Sequence, residues 1–387
     1  MKNIIVLGAT GSIGDSVLSV IKQNENELSL HGISFGSNIT KAEKIINEFK
    51  LKNIYSDSTD SSKYLKNKFK DNTELNILSD KYELEELLNS DSVDIIVSAV
   101  SGFAGLESTL IAAKTGKKIL LANKESLVVA GEIVLPLAEK HNTQIIPIDS
   151  EHNAIFQCLN SDKTTDDVSK IIITASGGPF LNRSISELSQ VTKDEALNHP
   201  NWEMGAKITI DSASLVNKCL ELIEARYLFN LNEKFFDIVV HPQSIIHSIV
   251  TYKDGSSLCQ MSNPDMRVPI AHALSVNDRR LSVDFSEIDF SSLNLTFQEI
   301  PKDRTQIFNI ARYVCNNGGS SGIIFNAANE VAVKSFLEEQ ITFDKIYEVI
   351  YRTFDVIPMS KNLDIESIYE IDNLTRIEAN KVVKSVS

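Results

Sequence analysis

The sequence is short of cysteine, of positive charge and of long hydrophobic runs, and each shortage removes a class of protein. Only four cysteines occur among 387 residues: Cys158, Cys219, Cys259 and Cys315. None shares a CxxC spacing with another, so neither a zinc site nor a disulfide framework is indicated, and a reducing compartment fits. Lys and Arg number 38 against 52 Asp and Glu, a formal net charge of −14. Phosphate backbones demand clustered cations, so this balance argues against nucleic acid as the main partner. No apolar run approaches the ~18 residues that a membrane helix needs, which argues against a membrane partner. The opening MKNIIVLGATGSIGD has a charged start and an apolar stretch, but the stretch ends after Leu7 and no small-residue cleavage site follows it. With no targeting signal, the cytoplasm is the expected location. Internal repeats and low-complexity tracts are absent. The remaining composition, 42% hydrophobic and 23% charged, is that of a globular protein, and the length suggests two or three domains.

Ile4 to Leu7 form a short apolar run, followed by Gly8, Gly11 and Gly14 and by helical periodicity through Val17, Leu18 and Ile21. Strand, glycine turn and helix in that order suit a dinucleotide, whose pyrophosphate rests on a helix N-terminus that side chains would block. The spacing is GxxGxxG, one step off GxGxxG, so context has to support it. Further apolar segments, Leu28–Phe35, Asp94–Val100, Lys118–Ala122 and Gln144–Ile148, alternate with helical stretches. That alternation predicts an α/β fold with a Rossmann-like, doubly wound parallel sheet. The alternative is a tight strand-to-helix turn with no ligand. The second strand ends in Gly36-Ser37-Asn38, where an NAD site carries Asp or Glu, and this tilts the choice to NADP. The nearest cations that follow are Lys41 and Lys44.

Two of these strands empty into polar clusters. LANKES, Leu121 to Ser126, puts Lys124 and Glu125 at the carboxyl end of a strand, where α/β sheets bind ligands. A lysine at a helix start also opposes the macrodipole. After Ile148 come Asp149, Ser150 and Glu151. Read as extended chain, Asp149 and Glu151 point to one side and can converge on a hard cation. Read as a helix start, Ser150 is a cap and Glu151 a favourable first-turn acid. After a strand at Lys170 to Thr174, Ser176-Gly177-Gly178-Pro179 offers free backbone N–H groups and a hydroxyl, as an anion nest does. An unliganded turn has the same composition.

The stretch from His199 to Ala225 holds the single tryptophan, Trp202. His199-Pro200 disfavours helix, and Trp202, Met204 and Gly205 follow. Asp211 or Ser212 is the expected cap of a helix whose apolar side is Leu215, Cys219, Leu222 and Ile223, with Asn217, Lys218 and Glu221 sharing the other face. We read a lid joined to a ligand-binding wall, against the plainer reading of an amphipathic helix with a solvated face. Glu221 then becomes a candidate third acid, while Ser212 and Lys218 become candidate partners of Ser176 for a phosphate, which wants several donors and a cation. Phe235 to Tyr252 reads as strand interrupted by Pro242, with His241 and His247 lining one side about 20 Å apart, too far to chelate one metal. Residues 275–299 are polar and irregular. Beyond Pro301, helical patterns through Ala327, Ala328, Val331 and Phe336 and through Ile346, Val349 and Ile350 predict a small bundle with mainly structural duties.

Taken together, GATGSIG (Gly8 to Gly14), LANKES, DSEHNAIFQ (Asp149 to Gln157), SGGPF (Ser176 to Phe180), the His199 to Ala225 stretch, HPQSIIHS (His241 to Ser248) and AANEVAV (Ala327 to Val333) resemble the 1-deoxy-D-xylulose 5-phosphate reductoisomerase family, and the likeness covers nearly the whole chain. These are NADPH- and metal-dependent enzymes that make 2-C-methyl-D-erythritol 4-phosphate for isoprenoid synthesis. The resemblance implies a Rossmann-like NADPH domain over 1–148, an α+β catalytic domain over 149–274, a linker over 275–300 and a helical C-terminal domain over 301–387. It implies cofactor contacts at Thr10, Gly11, Ser12, Ile13, Gly36, Ser37, Asn38, Asn123, Glu125 and Gly205. Asp149, Glu151 and Glu221 would hold Mg²⁺ or Mn²⁺. Ser176, Ser212, Asn217 and Lys218 would hold the phosphate of the sugar phosphate substrate. Lys124, Ser150, Glu151 and His199 would meet its carbon skeleton, with Lys124, Glu151 and His199 catalytic and Trp202 closing over it. Family members often carry a basic residue where this chain has Ser37. A homodimer is expected through the sheet containing His241 to Ser248. Two other readings are a plain NADP-dependent dehydrogenase, which has no need of three acids, and a silent NADP-binding sensor, which has no need of Lys124.

Overall fold

The structure, a computed structural model, describes residues 1–159, 163–276 and 278–387. Residues 160–162, inside the expected catalytic segment, and 277, inside the expected linker, lie outside the described residues. The chain divides into two compact units, one of residues 1–123, 134–149 and 266–285, the other of 124–133, 150–265 and 286–387.

The first unit begins β1 (Lys2–Leu7), α1 (Ser12–Gln23), β2 (Leu28–Ser34), α2 (Ile39–Phe49), β3 (Asn53–Tyr55), α3 (Thr59–Lys68) and β4 (Asn76–Leu78). It continues with α4 (Lys81–Asn89), β5 (Ile95–Ser98), α5 (Gly105–Ala113) and β6 (Lys118–Leu121). A long segment, α6 (Lys124–Lys140), is broken at Ala130 (φ −142°, ψ 23°), and only its second part belongs here, leading to β7 (Gln144–Pro147). Seven parallel strands form one sheet in the order β4-β3-β2-β1-β5-β6-β7. The expected doubly wound sheet is therefore present, with two more strands than the apolar runs announced. Ile4, Ile5, Val6 and Leu7 are fully buried, each contributing about 1.5–3 kcal/mol relative to exposure. Ile5, Leu7, Ile96 and Ile119 of the strands pack with Leu84 and Leu88 of α4 and Ile111 of α5 on one face of the sheet. Strand order reverses at β1, which lies between β2 and β5, and that switch point opens the crevice where such sheets bind ligands.

The second unit contains α7 (Ser150–Cys158), β8 (Val168–Ala175), α8 (Lys193–Leu197), α9 (Ala206–Ala213), α10 (Val216–Leu228), β9 (Phe236–Val240), β10 (Ile246–Tyr252) and β11 (Ser257–Met261). Its sheet has the order β11-β10-β8-β9, with β10 antiparallel to both neighbours and β8 parallel to β9. A further helix, α11 (Arg267–Leu274), returns to the first unit and packs on α1 and β6. Four helices complete the second unit: α12 (Gln306–Asn317), α13 (Ser321–Leu337), α14 (Lys345–Val356) and α15 (Ile365–Val386). The helical C-terminal region is as expected, and α13 is its hub, packed against α9, α12, α14 and α15. Among the described residues no helix is long and apolar enough to cross a membrane.

Two local expectations are corrected. Asp211 and Ser212 do not cap the helix that carries Glu221; they lie inside α9. The break falls at Leu215, whose left-handed backbone (φ 63°) starts α10. His241 and His247 do not share a strand, because β9 ends at Val240 and β10 begins at Ile246, with Ser244 left-handed (φ 52°) in the turn between.

Candidate active site

In the first unit the glycine turn sits at the switch point. Gly8 has φ +84°, and a Cβ there would lie 2.6 Å from the Ala99 carbonyl oxygen, so strand crossing requires glycine. Gly14 is pressed against the Ala9 carbonyl in the same way. Gly11 is different: it is exposed, and a Cβ would meet only the Gly8 carbonyl at 3.5 Å. Packing explains two of the three glycines, and the third leaves open space at the N-terminus of α1, beside Thr10, Ser12 and Ile13. A Cβ at Gly36 would likewise meet no atom within 4 Å, and Ser37 and Asn38 are exposed next to it. Asn38 caps α2, accepting the Lys41 N–H at 3.1 Å. The Lys41 ammonium folds back over the turn, 3.0 Å from the Thr10 carbonyl and 2.6 Å from Asp15. Asn123 is buried, its amide donating to the Gly102 carbonyl at 2.9 Å.

The second unit gathers most of the other predicted residues. Asp149 ends a segment of the first unit and is joined by one peptide bond to Ser150 and α7. The carboxylates of Asp149, Glu151 and Glu221 offer ligand atoms all within 4.8 Å of one another. Their convergence comes not from an extended segment but from the turn into α7 and from α10 alongside. Ser248 of β10 pins that turn by donating to the Glu151 carbonyl at 3.0 Å. His152 ties it to α10, with Nε2 2.9 Å from the Glu221 carbonyl and Nδ1 3.1 Å from Glu224. Asp149, His152 and Glu224 form a second close group. His152 and Glu224 are fully buried, however, whereas a hard cation keeps positions for water and substrate. The three-carboxylate group, all hard oxygen donors, fits Mg²⁺ or Mn²⁺ better.

Two lysines face these acids. Lys124, at the start of α6, is 2.9 Å from the Asn217 amide oxygen and 3.4 Å from Glu221. Lys218 lies between Glu151 (2.5 Å) and Glu221 (2.6 Å), and Asn217 donates to Glu221 at 2.6 Å. Burial works against the Lys218 charge, but the two carboxylates outweigh it and hold its pKa above the ordinary range. The solvated-face reading of α10 is thereby set aside: Lys218 and Glu221 are 4% and 0% exposed.

His199 joins the lid to the SGGP turn and to α9. The Asn201 and Trp202 N–H groups donate to its Nδ1 at 3.2 and 3.0 Å. That places the proton on Nε2, which is 3.0 Å from the Ser176 hydroxyl and 3.2 Å from the Ser212 hydroxyl. Burial pushes the His199 pKa down to about 4 against an upward pull from Glu151, so the ring is neutral at physiological pH. Because the unfolded chain binds a proton there at about 6.5 and the folded chain does not, stability falls as pH drops from about 6.5 to about 4. His199→Gln is expected to lose that part of the slope, seen as a smaller drop in urea midpoint between neutral pH and about pH 5; an unchanged drop would contradict it.

Asn201, Lys207 and Tyr347 carry no signal in the sequence patterns, although they support residues that do. Asn201 fastens the lid to the 242–244 turn, donating to the Pro242 carbonyl at 2.6 Å and the Ser244 hydroxyl at 3.0 Å. Trp202 is half-buried, its ring 5.9 Å from that of His247, which in turn is 2.9 Å from the Ser262 hydroxyl. His241 is instead structural, bonded to the Thr296 carbonyl at 2.8 Å and stacked on Phe297. Gly205 precedes α9 with no atom within 4 Å of a would-be Cβ. One turn on, Lys207 pairs with Glu125 at 2.5 Å and Asp211 at 2.8 Å, and Asn329 of α13 donates to Asp211 at 2.8 Å. Tyr347 of α14 donates to the Ser214 carbonyl at 2.9 Å, steadying the break before α10. The C-terminal helices thus hold site elements as well as each other. Only the AANEVAV motif, which contains Asn329, signalled this.

Comparison with known proteins gives one answer. Residues 4–131 match the family model for 1-deoxy-D-xylulose 5-phosphate reductoisomerase, residues 145–229 the model for its C-terminal domain, and residues 261–378 a further DXP reductoisomerase C-terminal domain. The chain is similar to the 1-deoxy-D-xylulose 5-phosphate reductoisomerase of Vesicomyosocius okutanii, 42% identical over 385 residues and 99% of both chains. It is 43% identical to that of Francisella tularensis subsp. novicida over 386 residues, 98% of each. Among solved structures, a DOX-P reductoisomerase in complex with NADPH, fosmidomycin and magnesium superposes with a TM-score of 0.92 at 40% identity, covering 99% of this chain and 98% of that one. The Zymomonas mobilis enzyme in complex with NADPH does so with a TM-score of 0.91 at 37% identity, covering 99% of each. The chain belongs to the 1-deoxy-D-xylulose 5-phosphate reductoisomerase family.

Proposed function

We propose that this chain rearranges and reduces 1-deoxy-D-xylulose 5-phosphate to 2-C-methyl-D-erythritol 4-phosphate, using NADPH and a divalent metal. The observation that carries the reading is the cluster of Asp149, Glu151 and Glu221, with ligand atoms within 4.8 Å of one another, in a chain whose Lys124, Lys218 and Asn217 face those acids. A plain dehydrogenase has no use for such a cluster. Bound there, a divalent ion supplies Lewis acidity toward the substrate's carbonyl and hydroxyl oxygens, and NADPH supplies the hydride.

The chain's own residues do the rest. Lys124, buried beside Glu221, offers a positive charge to oxygen atoms that gain negative charge during the rearrangement. With the acids neutralised by a metal, Lys218 is available to the substrate phosphate together with Ser176, Ser212 and Asn217. Binding energy gained at the phosphate, away from the reacting carbons, goes into orientation. Neutral His199 donates from Nε2 between the two serine hydroxyls, and its Nδ1 bonds make the lid sense that contact. Ser150 and Glu151 stand at the start of α7, with Glu151 placed to move protons. Trp202 and the rest of the 199–205 lid exclude water from reactive carbonyl species.

The open space at Gly11 and Gly36 supports NADPH binding along the β1–α1 turn and the end of β2. At the adenosine ribose, Ser37 and Asn38 offer neutral donors and Lys41 is the nearby cation. Ser37→Arg is expected to improve the NADPH over NADH preference by roughly tenfold, since a guanidinium pairs bidentately with phosphate; an unchanged ratio in fluorescence titrations would place 2′-phosphate recognition elsewhere. We further infer a cytoplasmic homodimer, joined at the sheet containing β10, whose edge strand β11 exposes Leu258 (51%). Product analysis tests the main reading: one branched polyol phosphate should form for each NADPH consumed.

A further inference from the structure

Arg304 is the largest fully buried side chain among the described residues, 1% exposed, and none of their carboxylates pairs with it. A guanidinium stays charged inside a protein, and an uncompensated buried charge is costly. Its terminal nitrogen donates to the carbonyls of Phe180 and of Arg183, the latter at 2.5 Å. Its Nε and other terminal nitrogen donate to no described atom. Nothing in the scheme above uses this residue.

Its two acceptors belong to the loop after β8, which starts at Ser176. That loop turns through two left-handed glycines, Gly177 (φ +83°) and Gly178 (φ +67°). Gly178 lies so close to α9 that a Cβ would be 2.9 Å from the Ala213 Cα and 3.0 Å from the Ser212 carbonyl. The same contact thus sets Ser176 against Ser212, the two hydroxyls that meet His199. Arg304 clamps the far end of this loop, while Phe180 packs edge-on to Phe343, 5.1 Å between ring centroids, and Tyr347 holds the α9–α10 junction. One guanidinium nitrogen that donates to two carbonyls ties two peptide planes together.

We propose that Arg304 is a positioning residue for phosphate binding: by tying the Phe180 and Arg183 carbonyls it holds the Ser176–Arg183 loop, whose Gly178 presses on α9 beside Ser212, in the shape that sets Ser176 against Ser212. The proposal rests on the reading of Ser176 and Ser212 as phosphate donors. Arg304→Met and Arg304→Lys test it, with melting temperature, kcat and KM for the sugar phosphate, and calorimetric binding of inorganic phosphate to the full chain. Arg304→Met is expected to raise KM and the phosphate dissociation constant by roughly tenfold or more, with a smaller change in kcat. Arg304→Lys, which keeps the charge but is shorter and loses the placed nitrogen that bridges the two carbonyls, should give an intermediate rise, and it decides the matter if the Met variant does not fold. A lowered melting temperature with wild-type KM and wild-type phosphate affinity would overturn the proposal, as would a loss confined to kcat. Failure of the wild-type chain to turn over the substrate would count against the proposed reaction alone, because phosphate affinity reads Arg304 independently.

Discussion

Glu221→Gln is expected to lower kcat by at least about a hundredfold while NADPH affinity changes by less than about threefold. The substitution keeps the size of the side chain and removes one charge. Three donors now converge on that carboxylate: Asn217 at 2.6 Å, Lys218 at 2.6 Å and Lys124 at 3.4 Å. A neutral amide in its place leaves two buried ammonium groups under-compensated and takes one hard oxygen anion from the candidate metal cluster. Both losses fall on the chemistry. Steady-state kinetics under metal titration, with cofactor binding followed by fluorescence, checks the split. A loss of NADPH affinity with normal metal dependence would mean that Glu221 serves the cofactor instead.

Lys124→Met is the second large effect. The residue is 4% exposed, so its charge acts in a medium where water screens little. Removal of a comparable charge-stabilising donor costs about 10²–10³ in kcat. Here the loss should appear in kcat and kcat/KM alike, because the interaction strengthens as oxygen gains charge. Lys124→Arg should not restore the rate, since the planar fork is larger than the ammonium and the pocket is already filled by Asn217 and Glu221. A Met variant with kcat within twofold of the parent chain would remove Lys124 from the mechanism.

Legibility in the sequence followed physical locality. β1, β5 and β6 declare themselves as short continuous apolar runs because they are buried on both faces, and β2 and β7 as apolar segments with polar interruptions. β3 and β4 do not, being three residues each with an asparagine in first place. The clusters after β6 and β7 are visible as polar residues at strand ends, but how they converge is not. Asp149 and Glu151 approach through a helix start, and the kink at Leu215 that sets α10 is a left-handed leucine that no local preference would place there. Tertiary bonds such as Tyr347 to Ser214 hold it. The pairing of Lys218 with Glu151, 67 residues away in sequence, likewise depends on packing between elements. Arg304 lies more than 100 residues from the loop it holds, and Asn329 as far from the helix α9 whose Asp211 it bonds. Periodicity finds faces of elements; it does not say which distant side chain will press against them.

That metal, NADPH and this site act together on one ketose phosphate is tested most directly by mixing the protein with NADPH, Mn²⁺ and 1-deoxy-D-xylulose 5-phosphate, following the cofactor's absorbance, and then adding a chelator. The predicted result is oxidation of NADPH that depends on the substrate and stops when the metal is removed. No oxidation would contradict the reaction, and oxidation indifferent to the chelator would contradict the role given to Asp149, Glu151 and Glu221.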